Sequence, residues 1–142
     1  MTDAPNRFQP PSAELDLPHS AQKPDLKTLY TSFNGRISRK VFWLYGVLFL
    51  ALAAVVVFGI IGAISAASET LAMILAIPAY IAVMWVSLAM QAKRWHDRDK
   101  SAWWILIGFI PIIGGIWAFV ETGCLRGTVG SNRFGGDLTD QY

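Results

Sequence analysis

Three long stretches of this chain carry no charged side chain: residues 41–67, 71–92 and 102–120. Soluble helices of that length show a polar face. A bilayer core of ~30 Å is crossed by roughly 20 helical residues, so each block is long enough to span, the third only just. Charged residues make up 15% of the chain and hydrophobic ones 54%, against about 25% charged in soluble domains. The reading is an all-α integral membrane helical bundle of three transmembrane helices over about 42–66, 71–92 and 102–123.

Within the blocks, local signals set the details. Gly59, Gly62, Ala63 and Ala66 form a small-residue patch at helical spacing, which permits close helix approach. The short turn Ala67-Ser68-Glu69-Thr70 makes the first two spans antiparallel neighbours. Pro78 leaves the carbonyl of Ile74 without its helical donor. Pro111 does the same to Ile107, and Gly114-Gly115 follow it. The third block is therefore read as a spanning helix kinked at Pro111. A re-entrant hairpin is the alternative, and it needs cover for its open backbone.

The ends differ in material. Residues 1–32 hold five of the seven prolines and few large apolar residues, so little burial offsets the entropy of ordering. They read as a disordered tail without the apolar core of a signal peptide. The membrane domain runs over 33–138, and 139–142 are a short tail. Asn34-Gly35 is a turn signal. Arg36, Arg39 and Lys40 follow at headgroup level, with Phe42 and Trp43 as interfacial anchors.

Between the second and third blocks lies Lys93-Arg94-Trp95-His96-Asp97-Arg98-Asp99-Lys100-Ser101, a hinge in which six of nine residues are Lys, Arg or Asp. The hinge has four basic residues, segment 36–40 has three, and turn 67–70 has none. The positive-inside rule places the N-terminus and the hinge in the cytoplasm. Three full spans would put the C-terminus outside, and a re-entrant third block would return it.

Three motifs carry a family resemblance. The first joins Phe33, Gly35, Arg36, Arg39, Phe42 and Trp43. The second is Arg94-x-His96-Asp97 with Ser101, Trp103 and Trp104. The third is Gly127-x-x-Gly130-x-Asn132-Arg133-Phe134-Gly135. Together they frame about residues 29–138. The chain resembles a bacterial inner-membrane family known as domain of unknown function number eight hundred and five. Trp95 stands where that family has Leu, and Ala102 where it has Gly. The resemblance implies a protein of the bacterial inner membrane and supplies no activity.

The chemistry-bearing residues weigh against an enzyme. A metal site needs three or four converging ligands. His96 has only Asp97 and Asp99 nearby, interleaved with Arg98 and Lys100, and the other histidine is His19 in the tail. Ser101, His96 and Asp97 are too close in sequence to make the usual triad. The glycine-rich ending lacks the Gly-Lys-Ser/Thr of a phosphate-binding loop. A net charge of +2 excludes the strongly basic face of a nucleic-acid binder. Cys124 stands alone and forms no intramolecular disulfide. No catalytic residue, metal or cofactor is expected.

Arginine forks suit phosphate oxygens. Arg36, Arg39, Arg94, His96 and Asp97 are the candidates for an anion, lipid-headgroup or partner-binding surface, with Asn132 and Arg133 from the ending. The bland alternative is that the hinge charges only set topology. The leading function is a non-enzymatic scaffold or accessory subunit. Its partners would be the bilayer's anionic headgroups and a membrane protein or a second copy. The alternatives are an oligomeric anion or small-molecule transport component, and a lipid-headgroup enzyme using His96-Asp97.

Overall fold

The structure is a computed structural model, and it describes residues 25–138. Two helices within it are long and apolar enough to cross a membrane, Arg39–Ser65 and Glu69–Asp97. Ser38 caps the first, its Oγ accepting from the amide of Val41. Residues Phe42–Leu48 of that helix are wound as a wide π-helix before regular α-helix resumes at Phe49. Gly46 lies in this wide section and is buried against the second helix. A Cβ there would come within 3.0 Å of Met90 Cε. Ser68 caps the second helix through the amide of Leu71, and Glu69 places a negative charge in its first turn. The two helices pack side by side, and the second continues through Pro78.

The second helix ends in a Schellman closure. The amide of Lys100 reaches the carbonyl of Trp95, and that of Asp99 reaches His96. Asp99 occupies the left-handed position there with φ 55°. A glycine would adopt it without strain. Arg133 holds the aspartate in place, donating to its carbonyl at 2.7 Å and pairing with its carboxylate at 3.2 Å.

The third block does not form the expected spanning helix over 102–123. Ser101 caps a 3-10 helix, Ala102–Phe109. The chain then reverses at Pro111–Ile112, where Ile112 takes φ 65°, ψ −64° and the amide of Ile113 bonds the carbonyl of Pro111 at 2.7 Å. This is a γ-turn, strained for a β-branched residue. The return limb is Ile113–Phe119 followed by a π-helical turn, Val120–Cys124. Gly114 packs straight onto the outgoing limb, since a Cβ there would lie 1.8 Å from the carbonyl oxygen of Ile107. Eight 3-10 residues rise only ~16 Å, about half a bilayer core. Both ends of the block meet at the hinge, where Lys100 pairs with Glu121. The third block thus folds back on itself as a hairpin, and residues 121–138 lie at the same end of the molecule as residues 33–40.

Residues 25–32 also depart from the expected tail over 1–32. Leu26–Thr31 is a helix capped by the Asp25 carboxylate. Leu29 packs with Ile37 and Met90 in a small apolar cluster. Lys93 closes its other end, donating to the carbonyls of Thr28 and Leu29 at 2.6 and 2.5 Å. Residues 1–24 and 139–142, the rest of the expected tails, lie outside the described residues.

Burial runs opposite to that of a water-soluble domain. Residues 92–97 and 121–123, which include Lys93, Arg94, Asp97 and Glu121, are buried. Meanwhile Val55, Ile77, Phe109 and Ile112 are more than half exposed. Among the described residues, the helix Phe49–Ser65 buries none of its side chains. An apolar exterior around a polar interior suits a hydrocarbon solvent, which favours apolar contact and penalises every unsatisfied polar group.

Candidate functional site: a buried charge cluster

Arg94 and Asp97 stand three residues apart on the last turn of the second long helix, so they share a face. Arg36 reaches them from the loop after Gly35, whose φ of 93° turns the chain toward the helix end. The Asp97 carboxylate takes both arginines. Arg36 Nε and Nη2 donate to Oδ1 at 3.1 and 3.0 Å, and Arg94 Nη1 pairs with Oδ2. The side chains of Asp97 and Arg94 are fully buried, and that of Arg36 is 1% exposed.

A guanidinium has five N–H donors. Arg36 has a protein oxygen for each: two bonds to Asp97, then Thr128 O at 2.8 Å, Gly130 O at 2.8 Å and Gly136 O at 3.0 Å. Arg94 extends the cluster to the return limb through the carbonyls of Thr122 and Leu125. The glycine-rich ending is folded around this centre. Thr128 donates its amide and its hydroxyl to the Asp97 carbonyl at 2.8 and 3.0 Å. The Asn132 amide donates to the His96 carbonyl at 2.8 Å, and its oxygen accepts from the amide of Phe134. The Phe134 ring lies flat on His96 with centroids 3.9 Å apart. His96 Nδ1 lies 3.2 Å from the Gly35 carbonyl.

Six of the seven candidate residues therefore converge: Arg36, Arg94, His96, Asp97, Asn132 and, at the rim on Asp99, Arg133. Arg39 stands apart. Its Nη1 donates to the carbonyl of Cys124 at 2.8 Å, beside Trp43, whose indole donates to Gly123 O at 3.0 Å. Asp97 accepts from the two arginines.

Residues the sequence reading passed over complete the picture. Glu121 gathers Lys100 and Arg98, the latter at 3.4 Å. Burial raises its carboxyl, while the Lys100 hydrogen bond and the Arg98 and Lys100 charges lower it further, so its pKa lies below the usual carboxylate value. A charge count would have found it, because Glu121 is the only acidic residue between Asp99 and Asp137. Lys93 was visible only as one of four basic hinge residues, and nothing beside it announces the two carbonyls it binds more than sixty residues earlier. Lys100 also lies over the Trp104 ring at 4.9 Å, and Trp104 stacks on Trp95.

Chemically, the cluster is closed. Both carboxylate oxygens of Asp97 are engaged, and an anion could reach Arg36 or Arg94 only by displacing protein oxygens. Among the described residues no three His, Cys, Asp or Glu side chains gather as a metal site would require.

The inner membrane protein YhaH of Escherichia coli K12 is 37% identical over 112 residues, covering 76% of this chain and 88% of that protein. The inner membrane protein YhaI of the same strain is 33% identical over 109 residues, covering 76% and 86%. The uncharacterized protein YiiR is 29% identical over 133 residues, covering 77% and 87%. No solved structure matches the chain. The model of the family described as "Protein of unknown function (DUF805)" matches residues 30–136. Two apolar helices and inner-membrane relatives mark a membrane protein, and the chain belongs to the DUF805 family.

Proposed function

We propose that this protein is a non-enzymatic membrane scaffold or accessory subunit that docks anionic lipid and a partner protein at its charged end. The observation that carries this reading is the closure of the cluster. Arg36 spends five donors on four protein oxygens, so its charge holds the fold together rather than waits for a substrate. A catalytic His96-Asp97 pair would need a free carboxylate oxygen, and both oxygens are taken by arginine. Ser101 is spent on the amide of Trp103. The outer rim carries the exposed cations Lys40, Arg126 and Arg133 above apolar helix surfaces, and Arg133 also pairs with Asp99. Cations at such a rim attract anionic headgroups by roughly 1 kcal/mol each.

In this reading both long helices cross the bilayer and the hairpin dips into it from the charged side. Arg36, Arg39, Lys40 and the hinge share one end, and the opposite turn carries Glu69, which orients the charged end to the cytoplasm by the positive-inside rule. The C-terminal loop then returns to the cytoplasm.

The test is gentle crosslinking in intact membranes from the charged face, followed by mild extraction and identification of what co-purifies. A reproducible partner, captured through residues 126–133 and lost when Arg126 and Arg133 are both changed to Glu, supports the reading. Capture that is unaffected by the two changes counts against the charged rim as the docking face.

A further inference from the structure

Beside the closed cluster lies a groove of about 430 Å³ lined by Arg39, Lys40, Trp43, Leu44 and Gly123. Its size falls in the range of small-molecule sites, about 300–1,000 Å³. Its walls come from two elements, the first turns of the helix Arg39–Ser65 and the end of the return limb. We propose that this groove holds one anionic phospholipid, with the phosphate at Arg39 and Lys40 and the upper part of an acyl chain along Trp43 and Leu44. The proposal rests on the reading that the charged end binds anionic lipid, and it names the place.

Three features point to that occupant. First, the lining changes character along its length. Two consecutive cations stand at one end, and a half-exposed indole and an exposed leucine follow one turn later. A phospholipid changes in the same order over the same distance, and a free anion has no use for the apolar half. Second, the cationic end is positioned. The Arg39 guanidinium is anchored on the Cys124 carbonyl, and Lys40 is exposed beside it. The N-terminal end of a 27-residue helix adds a partial positive charge at the same point. Third, the apolar wall is fixed in place at Gly123, whose missing Cβ lets the Trp43 indole pack close, since a Cβ there would come within 3.1 Å of Trp43 Cζ2. Trp43 lies against this glycine with its N–H on the glycine's own carbonyl, so the indole is a fixed wall.

The hinge arginines cannot serve the same lipid, because their donors face inward. The lipid would bridge the first long helix and the return limb, which otherwise meet here through Arg39 and Trp43 alone among the hydrogen bonds of the described residues.

The experiment is native mass spectrometry of the full chain in detergent, titrated with phosphatidylglycerol and separately with phosphatidylcholine. The variants are Lys40→Gln, which removes a charge, Leu44→Trp, which fills the apolar half, and Arg126→Gln as a cation elsewhere on the rim. The expected result is preferential retention of one phosphatidylglycerol. That retention weakens about fivefold in Lys40→Gln and comparably in Leu44→Trp, with little change in Arg126→Gln. Millimolar inorganic phosphate should fail to displace it. Equal losses for Lys40→Gln and Arg126→Gln would leave diffuse rim attraction and overturn the groove. Displacement by inorganic phosphate, or an unaltered Leu44→Trp, would overturn the lipid as occupant. Equal retention of both lipids by the unmodified chain would overturn the underlying reading of an anion-selective charged end.

Discussion

Changing Asp97 to Asn removes one charge and almost no volume, and it isolates what the carboxylate does for the fold. In the native chain one carboxylate serves two buried guanidinium groups. The asparagine oxygen can still accept from Arg36, but its amide must then face Arg94 Nη1, donor against donor. Two cations with almost no solvent access would be left without a counter-charge. Breaking a buried ion pair from one side costs about 3–5 kcal/mol, because the remaining charge is uncompensated. Total stabilities run about 5–15 kcal/mol, so this is a large share. For a chain of this size it corresponds to a fall in melting temperature of roughly 10–20 °C. The assay is intrinsic-fluorescence melting in detergent, paired with amide hydrogen exchange over residues 34–37 and 128–136. Exchange should accelerate in both segments together, since Arg36 ties the second to the first. A melting point within a few degrees of the unmodified protein, with unchanged exchange at 128–136, would show that the cluster is a hydrated charge patch and refute the reasoning.

Replacing Lys93 with Met should free the helix Leu26–Thr31, since two carbonyls lose a charged donor worth about 1.5–3 kcal/mol each. Limited proteolysis near residues 26–34 would then appear without a large change in global melting. Gly114→Ala should cripple the hairpin, because its Cβ meets the Ile107 carbonyl, whereas Gly115→Ala has open space and should be tolerated; detergent melting of the two variants side by side decides. Glu121 has a folded pKa below its ordinary value of 4.5. Its contribution is therefore present above that value and lost as pH falls through the folded value. Glu121→Gln should flatten the acid limb of the melting-temperature profile, and an unaltered limb would mean the Lys100 and Arg98 contacts are inert. In a Cys124→Ser background, single cysteines at Asn34 and Asp137 should react with a membrane-impermeant thiol reagent from one side and a cysteine at Ser68 from the other.

Much of the architecture was legible because hydrocarbon solvation acts on local composition. The two uncharged runs 41–67 and 71–92 become helices, which the structure shows capped by Ser38 and Ser68. The short turn at 66–68 joins them. The family resemblance named the hinge motif and the glycine-rich ending separately, and three full spans would have put them on opposite sides; the contacts of Thr128 and Asn132 with Asp97 and His96 bring them together. The third run misled because composition reports the solvent, not the path. A half-depth hairpin and a spanning helix are equally apolar. Pro111 and Gly114 mark the reversal only once the close approach of Gly114 to Ile107 is known. Residues 26–31 were assigned to a tail since a single buried leucine is a weak local signal. What secures them is Lys93, more than sixty residues later.

The arginines show the same limit more sharply. Their positions near the membrane surface were readable, and so was their suitability for anions. Their occupation was not. Arg36 binds a carboxylate 61 residues away and carbonyls more than 90 residues away. Of its four acceptor oxygens three are backbone carbonyls, which every residue carries and no residue type announces. By itself the sequence determined where the chain meets hydrocarbon and which end gathers cations, because both follow from side-chain transfer energies summed over short windows. Only the tertiary structure decided that the third run turns back and that the hinge charges close on one another, because both depend on distant segments arriving at one low-dielectric place where no polar group can be left unpaired.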